Sequence, residues 1–220
     1  MTQLFAELDS PGLTGPSAYG MAVTSHAITN ISGCSYSTSA QRFVCPDTTV
    51  DGLKFTKSFT LNDGSGALQS QFNPTTTGAI RIQATLAGPL SPGGRLVTNA
   101  TQLLELGGLR TGTHVVNGLS RAIVTGVTDA ATGQPVTHNF TTSVQDLVLP
   151  KFSATPGPPA WPTSGHISAI DSVSVQGALT SVSNFDARFS GTSRVTVAII
   201  QGNSTKYCIM DLASQPLVCL

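Results

Sequence analysis

Residues 53–61 read Leu-Lys-Phe-Thr-Lys-Ser-Phe-Thr-Leu, a stretch in which apolar and polar side chains alternate. Its odd-numbered positions are apolar except for Lys57, and its even-numbered positions are all polar. Successive side chains of a strand point to opposite faces of a sheet. The pattern therefore predicts a β-strand with one buried face and one solvated face.

The same alternation recurs along the chain, and turn-forming residues separate one stretch from the next. It predicts further strands over 80–86, 95–106, 111–117, 120–128, 135–149, 165–176, 178–189, 192–201 and 204–210. No segment keeps helical spacing over about twelve residues, so the crossover helices that parallel sheets need are not expected. We predict an all-β fold, an antiparallel meander of about 11–12 strands that forms a sandwich, a barrel or a strongly curved sheet.

Composition narrows the class of protein. The 220 residues carry a formal net charge of +0, with 10% charged and 40% hydrophobic residues. Zero net charge argues against a nucleic-acid partner, and the longest apolar runs, such as 197–200, are too short for a transmembrane segment. We expect an irregular N-terminal segment over 1–32, followed by a single antiparallel β domain over 33–220.

The four cysteines form two pairs with the same separation, Cys34 with Cys45 and Cys208 with Cys219. If each pair closes an antiparallel hairpin, Tyr36 faces Phe43 in the first hairpin and Met210 faces Leu217 in the second. Both registers bring apolar partners together on the cysteine side. We therefore predict two hairpin disulfides, with free thiols and a four-thiolate metal site as the alternatives. Disulfides indicate an oxidising compartment, so the expected location is extracellular, on the cell surface or periplasmic.

Three residues are candidates for binding. Trp161 is the only Trp and lies in the proline-rich stretch 156–162, where it is either a contact anchor or a plug over an open sheet end. His138 lies in an apolar row, either as a buried base or as a structural histidine with its hydrogen bonds satisfied. Lys57 marks a bend, a protected sheet edge or a ligand contact.

The sequence contains none of the short motifs that carry catalysis or cofactor binding. It has no His-Glu-x-x-His motif, no phosphate-binding loop, no Gly-x-Ser-x-Gly elbow and no dinucleotide fingerprint. His166 and Asp171 fall on opposite faces of their predicted strand, whereas Asp186 and Arg188 share a face. We therefore predict no enzymatic activity, no cofactor and no metal site, and keep a hydrolase assembled from distant loops as a minor alternative.

One block of motifs resembles a known group of proteins. The stretches 33–36 (Gly-Cys-Ser-Tyr), 42–46 (Arg-Phe-Val-Cys-Pro) and 51–53 (Asp-Gly-Leu), with the alternation that follows, are similar to uncharacterised exported bacterial proteins rich in Thr and Gly strands. The later stretch 117–119 and the closing cysteine pair are similar in style, so the resemblance covers 33–220. It implies export and transfers no activity.

The expected function follows from these features. Low charge, Ser- and Thr-rich strand faces and paired cysteines favour a non-catalytic exported structural or adhesive protein, with copies of itself or other surface components as partners. The alternative is a periplasmic or secreted carrier that binds a small apolar ligand inside a curved sheet or barrel.

Overall fold

The computed structural model describes residues 33–50, 52–90, 95–129, 132–150, 161–212 and 217–219. The predicted irregular segment 1–32 and most of the proline-rich stretch lie outside the described residues.

All regular secondary structure in these ranges is β-strand. The strands are β1 (Ser35–Ser37), β2 (Arg42–Val44), β3 (Thr48–Val50), β4 (Leu53–Asp63), β5 (Leu68–Gln69), β6 (Thr77–Leu90), β7 (Arg95–Gly107), β8 (Thr113–Thr128), β9 (Pro135–Pro150), β10 (Ser164–Val175), β11 (Ala178–Arg188), β12 (Arg194–Gln201), β13 (Ser204–Asp211) and β14 (Leu217–Cys219).

The strands form one antiparallel sheet in the order β1-β2-β4-β6-β7-β8-β9-β10-β11-β12-β13-β14, with β3 and β5 also paired to β4. Strands that follow one another in the chain are thus mostly neighbours in space, as in a meander. The first and last strands of the order do not pair with each other, so the sheet is open. The predicted all-β antiparallel meander is confirmed.

Two details of the structure go beyond the prediction. The described residues form 14 strands, against about 11–12 predicted, because short strands such as β3 and β5 carry too few residues to show alternation. The two strands expected over 111–117 and 120–128 are one continuous strand, β8. Gly118 lies at a register shift between β8 and β9, not at a turn, so the chain keeps its direction there.

The hydrophobic core lies on one face of the sheet. Leu61 on β4 and Val195 on β12 both have 0% exposed area and belong to the same core cluster. Seven strand-to-strand steps separate these strands in the order, which would place them about 34 Å apart in a flat sheet. A flat single sheet leaves its side chains open to water, so this sheet curves around the core. We call the face that carries the core the inner face and the opposite one the outer face.

A second, smaller cluster lies on the same face toward the other end of the long strands. Its buried members are Phe55, Leu86, Ala100, Ala122 and Val124, with Phe140 packed against them. In register, Phe55 pairs with Leu86, Leu86 with Ala100 and Ala100 with Ala122, so the cluster runs straight across β4, β6, β7 and β8.

Irregularities in the ladder accompany the curvature. Register shifts occur between β6 and β7, β7 and β8, β8 and β9, β9 and β10, and β10 and β11. At the shift between β9 and β10, Asp146 has a φ of 46° and Gly165 a φ of 114°. Bulges of this kind bend a strand and increase its twist, so they help the long strands to wrap around the core.

A disulfide cross-links the hairpin at each end of the strand order. Cys34 is bonded to Cys45 with an S–S distance of 2.07 Å, and Cys208 is bonded to Cys219 at 2.02 Å. The predicted disulfides are confirmed, and so are the registers on which they were based. Tyr36 pairs with Phe43 and packs edge-on against it, and Met210 pairs with Leu217 in the ladder.

Candidate functional site

A cleft of about 260 Å³ opens near the first edge of the sheet. It forms because β2 pairs with β4 only at Ser58 and Phe59, and β3 pairs with β4 only over Leu53–Phe55. The interval between these short strands leaves part of β4 uncovered. Its lining residues are Arg42, Val44, Cys45, Asp47, Thr56, Lys57, Ser58, Gln83 and Thr85. We call this feature the outer cleft.

The alternation of side chains along β4 and β6 explains why polar side chains line the outer cleft. Thr56 and Ser58 lie between the buried Phe55 and Phe59 on β4, and therefore on the outer face. Gln83 alternates in the same way with buried neighbours on β6 and pairs with Ser58. The cleft edge is held by the backbone, where the Cys45 N–H donates to the carbonyl of Lys57 at 3.1 Å.

Arg42 reaches across the outer cleft. Its Nη1 donates to Gln83 Oε1 at 3.1 Å and lies 3.4 Å from Ser58 Oγ. Both partners are neutral, and among the described residues no carboxylate forms an ion pair with Arg42. The only acid that lines the cleft, Asp47, is paired with the Lys54 ammonium at 3.0 Å. Among the described residues, the guanidinium of Arg42 is therefore held in the outer cleft by neutral partners, while the one acid of the lining is engaged by Lys54.

The inner face carries a different polar group. His138 Nδ1 lies 3.1 Å from Asp171 Oδ2 and 3.2 Å from Oδ1, joining β9 to β10. Phe140 stacks on the imidazole, with ring centroids 5.6 Å apart and planes inclined by 8°. Both polar side chains are about three-quarters or more buried, at 25% and 19% exposure. The carboxylate gives Nδ1 of His138 a hydrogen-bond partner and orients the imidazole.

Polar side chains continue from this pair along the inner face. Asp171 pairs in the ladder with Ser183, which is buried, and Ser183 pairs with Gln201. The Gln201 amide donates to Ser183 Oγ at 3.0 Å. A polar line thus crosses β9 to β12 beyond the main core, and its hydrogen bonds offset the cost of removing these groups from water.

Lys57 lies on the inner face. It occupies the position between Phe55 and Phe59 in the buried row of β4 and pairs with Ala84, which is also buried. Burial lowers the pKa of its ammonium, because removal from water disfavours the charged form. Its side-chain position is on the inner face, whereas its backbone carbonyl, which accepts from the Cys45 N–H, borders the outer cleft.

Trp161 lies just before β10, partly buried and packed against the main core cluster. The structure does not bring Trp161, His138 and Lys57 into one site: the first covers the core, and the other two lie on different parts of the inner face. Their proposed roles in binding remain predictions.

The outer face carries further ion pairs. His166 Nε2 lies 2.6 Å from Asp186 Oδ2, and Arg188 Nε lies 3.4 Å from the other oxygen of the same carboxylate. Arg81 pairs with Glu105 at 2.8 Å on the same face. Asp186 and Arg188 share a face as predicted, and Asp171 lies on the face opposite to His166. Exposed pairs of this kind add little stability.

The residues described contain no group of three or more His, Cys, Asp or Glu side chains that could hold a metal ion. None of them belongs to a helix long and apolar enough to cross a membrane.

The fold and the site together define the class of protein. It is a single open antiparallel β-sheet that curves around its core and carries a disulfide in the hairpin at each end of the strand order. No family model, curated protein or solved structure matches the chain. The resemblance to exported bacterial proteins therefore stays a prediction.

Sequence reasoning missed the outer cleft and the partner of His138. Alternation along each strand assigns His138 and Asp171 to a face of that strand. That the two residues are neighbours follows only from the register of β9 and β10. Arg42 and Gln83 lie 41 residues apart, and no local pattern links them.

Proposed function

We propose that this chain is an exported, non-catalytic structural protein that associates with copies of itself. Export is supported by the two disulfides, which persist in oxidising compartments. A structural role is supported by the inner face, where the large side chains that line the curved sheet are buried in contiguous clusters. Buried clusters of this kind among the described residues favour this function over that of a carrier for an apolar ligand.

The observation that carries self-association is an exposed apolar group at the last edge of the sheet. Tyr207, Ile209 and Val218 are 59%, 41% and 60% exposed. Ile209 and Val218 are direct ladder partners, and Tyr207 lies on the same face two residues before Ile209. We call these three residues the edge patch.

Part of the backbone beside the edge patch has no strand partner among the described residues. β14 pairs with β13 only from Cys208 to Met210, and no described strand pairs with 204–207 on the side away from β12. An open strand edge is a template for a strand from another chain. A net charge of +0 gives little repulsion between copies. A second copy is therefore the partner that this edge fits best.

Sedimentation velocity over a range of micromolar concentrations tests the proposal. We expect the sedimentation coefficient to increase with concentration, and the Tyr207→Ser, Ile209→Thr double variant to remain monomeric. Leu179→Ser is the matched control, because Leu179 is 64% exposed but lies at the hairpin between β10 and β11. A wild-type chain that stays monomeric throughout, or a control that dissociates as readily as the double variant, would contradict the proposal.

A further inference from the structure

The outer cleft and the edge patch lie at opposite ends of the strand order, so the cleft requires an explanation of its own. A volume of about 260 Å³ is slightly below the range of about 300–1,000 Å³ typical of pockets for drug-sized ligands. It suits a small molecule with one ring. The exposed walls are about equally polar and apolar, which fits a ring that carries polar groups on a carbon frame.

The charge of the outer cleft selects an anion. Arg42 has neutral partners among the described residues, and its hydrogen bonds to them use only Nη1. A guanidinium has five N–H donors in a planar fork, which fits the two oxygens of a carboxylate. The neighbouring acid Asp47 is neutralised by Lys54, so it opposes an incoming anion less strongly.

The floor of the outer cleft selects hydroxyl groups. Thr56 and Thr85 pair in the ladder, and their hydroxyls lie 2.5 Å apart. Ser58 and Gln83 form the next pair. Hydroxyls and amides both donate and accept hydrogen bonds, so this floor matches a ligand that does the same.

We propose that the outer cleft binds a hydroxylated carboxylate of single-sugar size, such as a uronic acid unit of an acidic polysaccharide. Arg42 receives the carboxylate, and the side chains of Thr56, Ser58, Gln83 and Thr85 bond the sugar hydroxyls. The proposal does not depend on self-association, since the cleft is built from β2, β4 and β6.

Titration of the ¹⁵N-labelled chain, with its disulfides intact, tests this site by NMR. The probes are sodium glucuronate, glucose and inorganic phosphate in separate titrations. We expect saturable shifts of amide signals from 56–58 and 83–85 with glucuronate. Glucose lacks the carboxylate and phosphate lacks the hydroxylated ring, so both are expected to bind at least about tenfold more weakly.

Variants assign the effect to Arg42. Arg42→Gln and Gln83→Glu are each expected to weaken glucuronate binding at least about tenfold, the first by removing the charge and the second by neutralising it. Arg121→Gln is the matched control, since Arg121 is an exposed arginine on the outer face of β8. The dispersion of the amide spectrum shows directly that each variant is folded. Absence of saturable shifts with glucuronate, equal affinity for glucose or phosphate, or unchanged binding by both cleft variants would overturn the proposal.

Discussion

Gly165 is a position at which a single added methyl group meets the backbone of the neighbouring strand. Its φ of 114° lies in a region that other residues rarely adopt. A Cβ built there would lie 2.4 Å from Leu147 Cα and 2.7 Å from the carbonyl oxygen of Asp146. Comfortable carbon–carbon contacts are about 3.5–4.0 Å. Because the obstructing atoms are backbone, β9 and β10 must separate to accommodate the methyl group.

The expected cost of Gly165→Ala has two parts. The backbone conformation costs about 1–3 kcal/mol, and the overpacking adds about 1–3 kcal/mol. We therefore expect the free energy of unfolding to fall by about 4 kcal/mol, a large share of the roughly 5–15 kcal/mol that holds a typical protein together.

Gly177→Ala is the matched control. Gly177 also has a positive φ, of 82°, but nothing lies within 4 Å of the Cβ that it would gain. The Gly177→Ala variant should therefore lose stability through its backbone conformation but not through a steric clash. Both alanine substitutions lower the conformational entropy of the unfolded chain by the same amount, so this effect cancels in the comparison. The Gly165 variant should be less stable than the Gly177 variant by about 2 kcal/mol.

Urea denaturation followed by Trp161 fluorescence measures both variants. Trp161 is the only Trp and packs against the core cluster, so its signal reports loss of the fold. If the two variants lie within about 0.5 kcal/mol of each other, the clash at the β9–β10 bulge does not govern stability and the reasoning is refuted.

Three further predictions concern the disulfide at the last edge, the buried lysine and the inner-face pair. Replacing both Cys208 and Cys219 by Ala should lower the free energy of unfolding by about 3 kcal/mol, because the bridge closes a sequence separation of 11 residues; an unchanged urea midpoint under oxidising conditions would contradict this. Burial lowers the pKa of Lys57, so between that lowered value and about 10.4 the unfolded chain binds more protons and stability rises with pH. Lys57→Met should remove this part of the pH dependence, as measured by the difference between wild-type and variant urea midpoints from pH 7 to 10.5; parallel profiles would show that the lysine does not contribute. Asp171→Ala should cost about 1–3 kcal/mol by leaving His138 Nδ1 without its acceptor, and a double-mutant cycle with His138→Phe that shows no coupling would exclude the interaction.

Much of the strand structure could be predicted from local pattern. The row with Phe55, Phe59 and Leu61 is buried as its alternation indicates. The two cysteine hairpins were predicted with the correct register, since apolar partners and thiols agree on a single alignment. These inferences succeed because the period of two in a strand is a property of the backbone itself.

The errors share a physical cause. Gly118 and its surroundings have the composition of a turn, yet β8 continues through them because pairing with both β7 and β9 is maintained. Turn propensity is a local preference, and hydrogen bonds to two neighbouring strands outweigh it. In the same way, the hydrogen bond between His138 and Asp171 depends on the register of β9 and β10 rather than on the sequence of either strand.

By itself, the sequence predicted that this chain is all-β and antiparallel, which side chains of a strand such as β4 are buried, and the cysteine pairs that the apolar partners favour. Only the tertiary structure decided that the sheet stays open, that it curves until β4 and β12 share one core, and that Arg42, Gln83 and Thr85 line one cleft. The alternation of apolar and polar side chains relates adjacent residues of one strand, so it can be read directly from the sequence. Curvature is the sum of twist and bulges over many strands, and a cleft between strands exists only once every register has been set.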